Sequence, residues 1–170
     1  MTSVAREYTI VALVQDKPGV LNRVSSMFRR RGYNIVSLAV GHSEQAGLSR
    51  MTFVVDCDDA TIDQVRKQLD KLIEVIEVTD MTDVASVTRE LALIKVVSSP
   101  DTRSEIIQLV DIFRANIVDV TTDSVIIEVT GDENKVDSLL TLLETFGIEE
   151  IMRTGRIAIP RGLSLGEHDK

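Results

Sequence analysis

Cysteine occurs once in this 170-residue chain, at Cys57, so no intrachain disulfide can form and no thiolate cluster can hold zinc. Tryptophan is absent, and the rings are limited to Tyr8, Tyr33 and four phenylalanines. The cores must therefore be aliphatic, and a site that stacks nucleobases would want more rings than these. Positive charge is also short. Nineteen Lys and Arg face 27 Asp and Glu, a formal charge of −8, which excludes the basic face expected for nucleic acid or an anionic membrane surface. No apolar run approaches the roughly 20 residues that span a bilayer. The opening Met1-Thr2-Ser3-Val4-Ala5-Arg6-Glu7 lacks the apolar stretch of a signal peptide, so a cytoplasmic protein is expected. The two histidines, His42 and His168, stand apart with no metal-binding spacing and no nucleophile partner. There is no phosphate loop and no dinucleotide fingerprint. No catalytic constellation emerges.

What the chain does have is 44% apolar residues in a pattern that reads strand, helix, strand, strand, helix, strand, twice over. Tyr8 to Val14 is a continuous run of β-formers, broken by Asp16-Lys17-Pro18-Gly19. Val20, Leu21, Val24, Met27 and Phe28 then recur at helical spacing, and Gly32 ends that helix. Tyr33 to His42 and Leu48 to Asp56 read as strands joined by a polar hairpin loop, Ser43 to Gly47. Thr61 and Gln64 have the spacing of a capping box, opening a helix with Ile62, Val65, Leu69, Leu72 and Ile73 inside. Glu74 to Asp80 closes the unit.

The second unit repeats the order. Leu91 to Ser98 is a strand, and Thr102 with Glu105 forms a second capping box. The helix that follows has Ile106, Ile107, Leu109, Val110 and Phe113 inside. A hairpin follows with its turn near Asp123. Then come a helix starting at Asp132, with Val136, Leu139, Leu140, Leu142, Leu143 and Phe146 inside, and a last strand, Ile148 to Thr154. The expected class is α+β, two ferredoxin-like βαββαβ domains in tandem. The expected boundaries are 1–81, a linker over 82–89, a second domain over 90–160 and a loose tail over 161–170, with looseness beginning near Arg156. A faint repeat supports two copies. Phe28-Arg29 precedes Asn34-Ile35-Val36, and Phe113-Arg114 precedes Asn116-Ile117-Val118. The second copy lacks three residues before its Asn-Ile-Val and lacks the Pro-Gly turn.

Asp16 to Val24 is the sharpest local signal. A strand enters a turn that opens a helix, whose first amides are unpaired and attract a carboxylate. Gly19 lets a ligand approach the backbone, and Asp16 could meet an ammonium. On spacing alone the plainer reading is favoured, in which Asp16 simply caps the helix with Pro18 in its first turn. The Asn34 amide could serve both ends of a zwitterion, or satisfy backbone at the Gly32-Tyr33 turn. Arg29-Arg30-Arg31 suits a helix C-terminus. Asp56, Asp58 and Asp59 suit a polar turn into a helix, without the further ligands a metal requires.

Tyr8 to Val55, with its PGVL-RV, F-RRGYNI-SL and LSRMT segments, resembles the N-terminal ACT domain of the small regulatory subunits of acetohydroxyacid (acetolactate) synthase. The resemblance continues through KQLDKLIEVIEV, RELALIKV, FRANIVDVT and the MRTGRIAIPRG ending. It implies a dimer whose ACT domains pair edge to edge and bind valine, or another branched-chain amino acid, between protomers. It further implies no cofactor in this chain. Thiamine diphosphate, FAD and magnesium would belong to a separate catalytic large subunit, which this chain would activate and submit to feedback inhibition. By position, Asp16, Gly19, Val20 and Leu21 would hold the ligand from one protomer, and Asn34 and Ile35 from the other. Gly41 and Gln64 match positions tied to feedback sensitivity in such proteins. Some relatives carry Asn where this chain has Asp16. The rival from another class is a free-standing amino-acid sensor of the same fold that acts on a transcription factor.

Overall fold

The structure, a computed structural model, describes residues 6–162. The chain divides into two compact units: one runs up to Val87 and resumes at Arg156, and the other is Thr88–Gly155.

The first unit comprises β1 (Arg6–Gln15), α1 (Val20–Arg31), β2 (Ile35–His42), β3 (Leu48–Cys57), α2 (Asp59–Leu69) and β4 (Val75–Asp80). Its sheet has the order β2-β3-β1-β4, all antiparallel, the βαββαβ arrangement expected. Ile10, Ala12 and Val14 alternate along β1 toward the helices, where Val24 and Phe28 of α1 meet Val65 and Leu69 of α2. Phe28 stacks on Phe53 with ring centroids 5.3 Å apart and meets Tyr33 edge-on, so three of the six rings gather at one core position. Burying one such ring contributes about 1.5–3 kcal/mol.

The start of α2 differs from expectation. Asp58, not Thr61, is the cap: its carboxylate accepts the Thr61 amide at 2.8 Å, and the helix begins three residues early. The Asp58 carboxylate, a stronger acceptor than the Thr61 hydroxyl, sets the helix start ahead of Thr61. Gln64 is thereby freed, and its amide oxygen accepts from the Tyr33 hydroxyl at 3.2 Å. Ile73 lies past the helix end and is exposed rather than inside.

The second unit contains most of β5 (Ser86–Val97), then α3 (Arg103–Ile112), β6 (Asn116–Val120), β7 (Ser124–Gly131), α4 (Glu133–Leu143) and β8 (Ile148–Arg153). The sheet order β6-β7-β5-β8 repeats that of the first unit. Asp132 caps α4 as expected, accepting the Lys135 amide at 2.9 Å. Thr102 does not cap α3. Its backbone is already helical (φ −95°, ψ −17°), and its hydroxyl accepts the Ser99 amide instead. Ile107 and Leu142, expected inside, sit one position off the buried stripes of Ile106-Val110 and Leu139-Leu143 and are exposed.

Two departures share a cause. β5 begins at Ser86, inside the expected linker. The segment from Arg156, expected to be loose, forms β9 (Ile157–Pro160), which pairs with β5. Arg161 donates its amide to Ala85 O at 2.8 Å, and the Arg156 guanidinium reaches Thr9 Oγ1 at 2.9 Å and Glu7 at 3.0 Å. The partners are distant in sequence, so no local pattern announces the pairing. Residues 163–170 of the expected tail lie outside the described residues.

The repeat is real but aligned differently. Gly32 (φ 69°) and Arg114 (φ 50°) both take the left-handed conformation that ends the first helix of each unit, and each stands two residues before the repeated Asn. Tyr33 N donates to Phe28 O, and Ala115 N donates to Val110 O, so Val110 rather than Phe113 is the counterpart of Phe28. The shortening falls after the Asn: β6 ends at Val120, with only Thr121 to Asp123 before β7.

Cys57, at the end of β3, is half-buried. Burial first, then the carboxylates of Asp58, Asp56, Asp80 and Asp59, push its thiol up to about 11. Alkylation at pH 8 should run about 100-fold slower than for an ordinary thiol of pKa near 9, because the thiolate fraction falls by that factor. Its rate should rise tenfold per pH unit until about pH 11. Iodoacetamide labelling followed by mass checks this; labelling at the ordinary rate would contradict the burial.

Candidate functional site

The turn between β1 and α1 is held from both sides. Asp16 N donates to Gly47 O at 2.8 Å, tying the turn to the β2–β3 loop. The Asp16 carboxylate faces His42 Nδ1 at 3.2 Å and does not cap the helix. Gly19 occupies the cap position in left-handed conformation (φ 87°, ψ −8°), which a side chain would strain. A Cβ there would meet nothing within 4 Å, so the space over the turn is open. Val20 N makes a long bond to Lys17 O, 3.4 Å, and among the described residues nothing accepts from the amides of Leu21 and Asn22. No acidic side chain stands in the first turn of α1. The end of this helix is a partial positive charge without a partner.

Not every residue expected at the site faces it. Val20 is 5% exposed and its side chain belongs to the protomer's own core, so only its backbone can meet a ligand. Helical spacing predicts this, since Val20 shares a face with Val24 and Phe28. Leu21, 46% exposed, is the apolar surface beside the turn.

Asn34 and Ile35 lie at the other end of α1. Asn34 is exposed just before β2, and Ile35 is half-buried against the core. The twelve residues of α1 separate this end from the turn by about 18 Å. One protomer therefore does not bring Asp16 and Asn34 to a common small ligand. The two remaining positions divide in the same way. Gly41 pairs with Arg50 next to His42, at the Asp16 end, and Gln64 is joined through the Tyr33 hydroxyl to the Asn34 end. His42 and Tyr33 are the residues that sequence reading missed. Counting a strand from Ile35 would have carried His42 back to the level of the turn.

β2 is an edge strand, paired only with β3 in its sheet. Val36 and Val40 on it are exposed, and an open apolar edge of this kind is a template for pairing.

The second unit supplies a built-in comparison. Gln15 N and Val97 N close β1 and β5 in the same way, and the same register carries buried Val24 to Ile106 and Phe28 to Val110. In this register Ser98 stands where Asp16 does, and Arg103 stands where Leu21 does. Arg103 donates to Ser98 Oγ at 3.1 Å and to the carbonyls of Thr121 and Thr122 at 2.8 and 3.0 Å. Ser99 and Thr102 satisfy each other beside it. The second turn is thus filled by its own side chains, and the first is empty.

Among the described residues no group of three or more His, Cys, Asp or Glu is placed to hold a metal ion. Asp58 caps α2 and Asp59 accepts the Tyr8 hydroxyl. No helix among them is long and apolar enough to cross a membrane.

Known proteins place these features in context. Residues 10–77 match a family model described as the AHAS small subunit-like ACT domain, and residues 89–162 match one described as the small subunit of acetolactate synthase. A probable acetolactate synthase small subunit of Archaeoglobus fulgidus is 56% identical over 92% of this chain and 98% of its own length. The acetolactate synthase small subunit of Bacillus subtilis is 51% identical over 90% of both chains. The crystal structure of the acetolactate synthase small subunit from Thermotoga maritima matches with a TM-score of 0.85 and 46% identity, over 93% of this chain and 99% of that one. Identity at this level across both units shows that the chain belongs to the family of acetolactate synthase small subunits.

Proposed function

We propose that this chain is the non-catalytic regulatory subunit of an acetohydroxyacid synthase, working in the cytoplasm in branched-chain amino acid biosynthesis. It binds valine between two first units paired through their β2 edges, raises the activity of the catalytic subunit and makes that activity subject to feedback inhibition. The observation that carries this reading is the contrast between the two helix ends: α1 open, α3 closed by Arg103.

A zwitterion needs an anion-seeking group, an ammonium partner and an apolar slot. The free amides of Leu21 and Asn22 supply the first, Asp16 or Asn34 the second, and Leu21 with Ile35 the third. Because Asp16 and Asn34 sit at opposite ends of one α1, a ligand meets both by drawing them from different protomers, which couples binding to the dimer. Asp16 already faces His42, so an ammonium would share that carboxylate rather than find it bare. Micromolar to millimolar affinity, about −8 to −4 kcal/mol, suffices for a metabolic sensor. Discrimination among valine, leucine and isoleucine rests on single methylenes, each worth about 1–3 kcal/mol.

Inhibition then requires valine to favour one dimer arrangement over another, with a coupling of about 1–3 kcal/mol. Thiamine diphosphate, FAD and magnesium act on the catalytic subunit. The test is acetolactate formation by that subunit with and without this chain, across a valine titration. The expected result is stimulation by the chain, then inhibition by valine. Asn34→Ala should raise the valine needed at least tenfold without reducing stimulation. Stimulation with no response to valine would remove the sensor from this site. Absence of stimulation would favour the free-standing sensor.

A further inference from the structure

The helical face of the second unit carries a feature that the proposed ligand site does not use. Leu109 and Phe146 form the half-buried floor of a shallow groove between α3 and the turn after α4, and Ile112 and Leu142 stand on its walls. Ile112 is 72% exposed and Leu142 44%, large apolar side chains that a helix facing only water would not favour. Glu105 lines the groove, and Asp111 and Glu144 are exposed in the adjoining turns of the same elements. None of these three carboxylates makes an ion pair among the described residues. Of the cations near in sequence, Arg103 is held by the β6–β7 turn, while Arg114 is exposed just past Ile112, so the acidic rim rests on Glu105 and Glu144.

We infer that this groove is the docking site for the catalytic subunit, received as an apolar segment flanked by Lys or Arg. The inference rests on the reading of the chain as a regulatory subunit, and charge decides the occupant. A second copy would bring the same acidic rim against itself in a chain already at −8, and like charges set opposite one another disfavour a self-complementary contact. A basic-flanked apolar segment satisfies both parts of the groove. The walls bury its apolar side chains, while the rim speeds encounter and fixes orientation.

The test uses the full chain and the purified catalytic subunit, reading both direct association and the chain concentration for half-maximal stimulation. Ile112→Glu with Leu142→Glu should raise that concentration at least tenfold. Glu105→Lys with Glu144→Lys, at exposed positions that leave the core packing alone, should raise it similarly and remove most of its salt dependence. Valine binding to the free chain should be unchanged in both. Native half-saturation in the charge-reversed variant would overturn the inference while leaving the regulatory reading intact. Failure of the native chain to associate at all would overturn both.

Discussion

Leu21→Arg is expected to abolish inhibition by valine while leaving stimulation of the catalytic subunit in place. The second unit shows what an arginine does at this position of the fold: Arg103 ties Ser98 to two carbonyls of the neighbouring hairpin across the start of the helix. In the first unit the counterpart of Ser98 is Asp16, whose carboxylate would hold the introduced guanidinium more firmly than a hydroxyl holds Arg103. The β2–β3 loop is already bonded to this turn through Gly47 O, so its carbonyls are close by. Leu21 is exposed, so the change removes little core packing and should cost stability no more than about 0.5 kcal/mol. A guanidinium satisfied by charged and backbone acceptors must be displaced before a ligand can enter. At about 1.5–3 kcal/mol for a hydrogen bond to a charged group, the valine needed should rise by roughly 100-fold. Calorimetric titration of the free chain with valine measures this directly. Undiminished affinity would mean that the ligand does not use the α1 turn.

The largest expected effect on stability comes from Arg153→Ala. Glu90 is 7% exposed in the second unit, and the Arg153 guanidinium donates to both of its carboxylate oxygens and to Asp137. The Glu90 hydrogen bond is the leading cause of the raised Arg153 pKa, so this arginine stays charged throughout the accessible range. Truncating it strands a carboxylate that has little access to water. Breaking a buried pair in this way costs about 3–5 kcal/mol, and the lower end applies because Arg153 is itself part-exposed. Urea unfolding of the variant should show a loss near 3 kcal/mol. Replacing Glu90 by Gln in the same background should recover part of it, since the stranded charge and not the missing contact dominates. A loss below 1 kcal/mol would show that water reaches Glu90.

These two sites also mark how far local sequence carries. The strands and helices of both units follow from apolar periodicity, because alternation in β1 and the stripe Val24-Met27-Phe28 answer to the burial each element meets. Caps are less legible. Asp58 and Thr61 compete for the same helix start, and the stronger acceptor wins by a margin that spacing alone does not reveal. Val20 was expected to touch the ligand because its position, taken from the family resemblance, carries no direction; helical phase turns its side chain inward. β9, Arg156 on Thr9, and Arg153 on Glu90 were not legible, since each joins residues far apart in the chain and leaves no periodic trace. The contrast between Leu21 and Arg103 lay in the sequence throughout. It became readable only when hydrogen-bond register aligned the two copies.

The return of the chain to its first unit at Arg156 also sets an order in time. The first unit leaves the ribosome first, yet Thr9 and Ala85 wait for partners made only after the whole of Thr88–Gly155. At about 5–20 residues per second, that delay is on the order of 3–14 s. Strands β5 to β8, by contrast, follow one another in the chain and can pair as soon as β8 emerges, with β9 added to β5 afterwards. The first unit is thus the one that receives the last-made segment, and a chain whose synthesis stops before Arg156 leaves Thr9 and Ala85 without these partners.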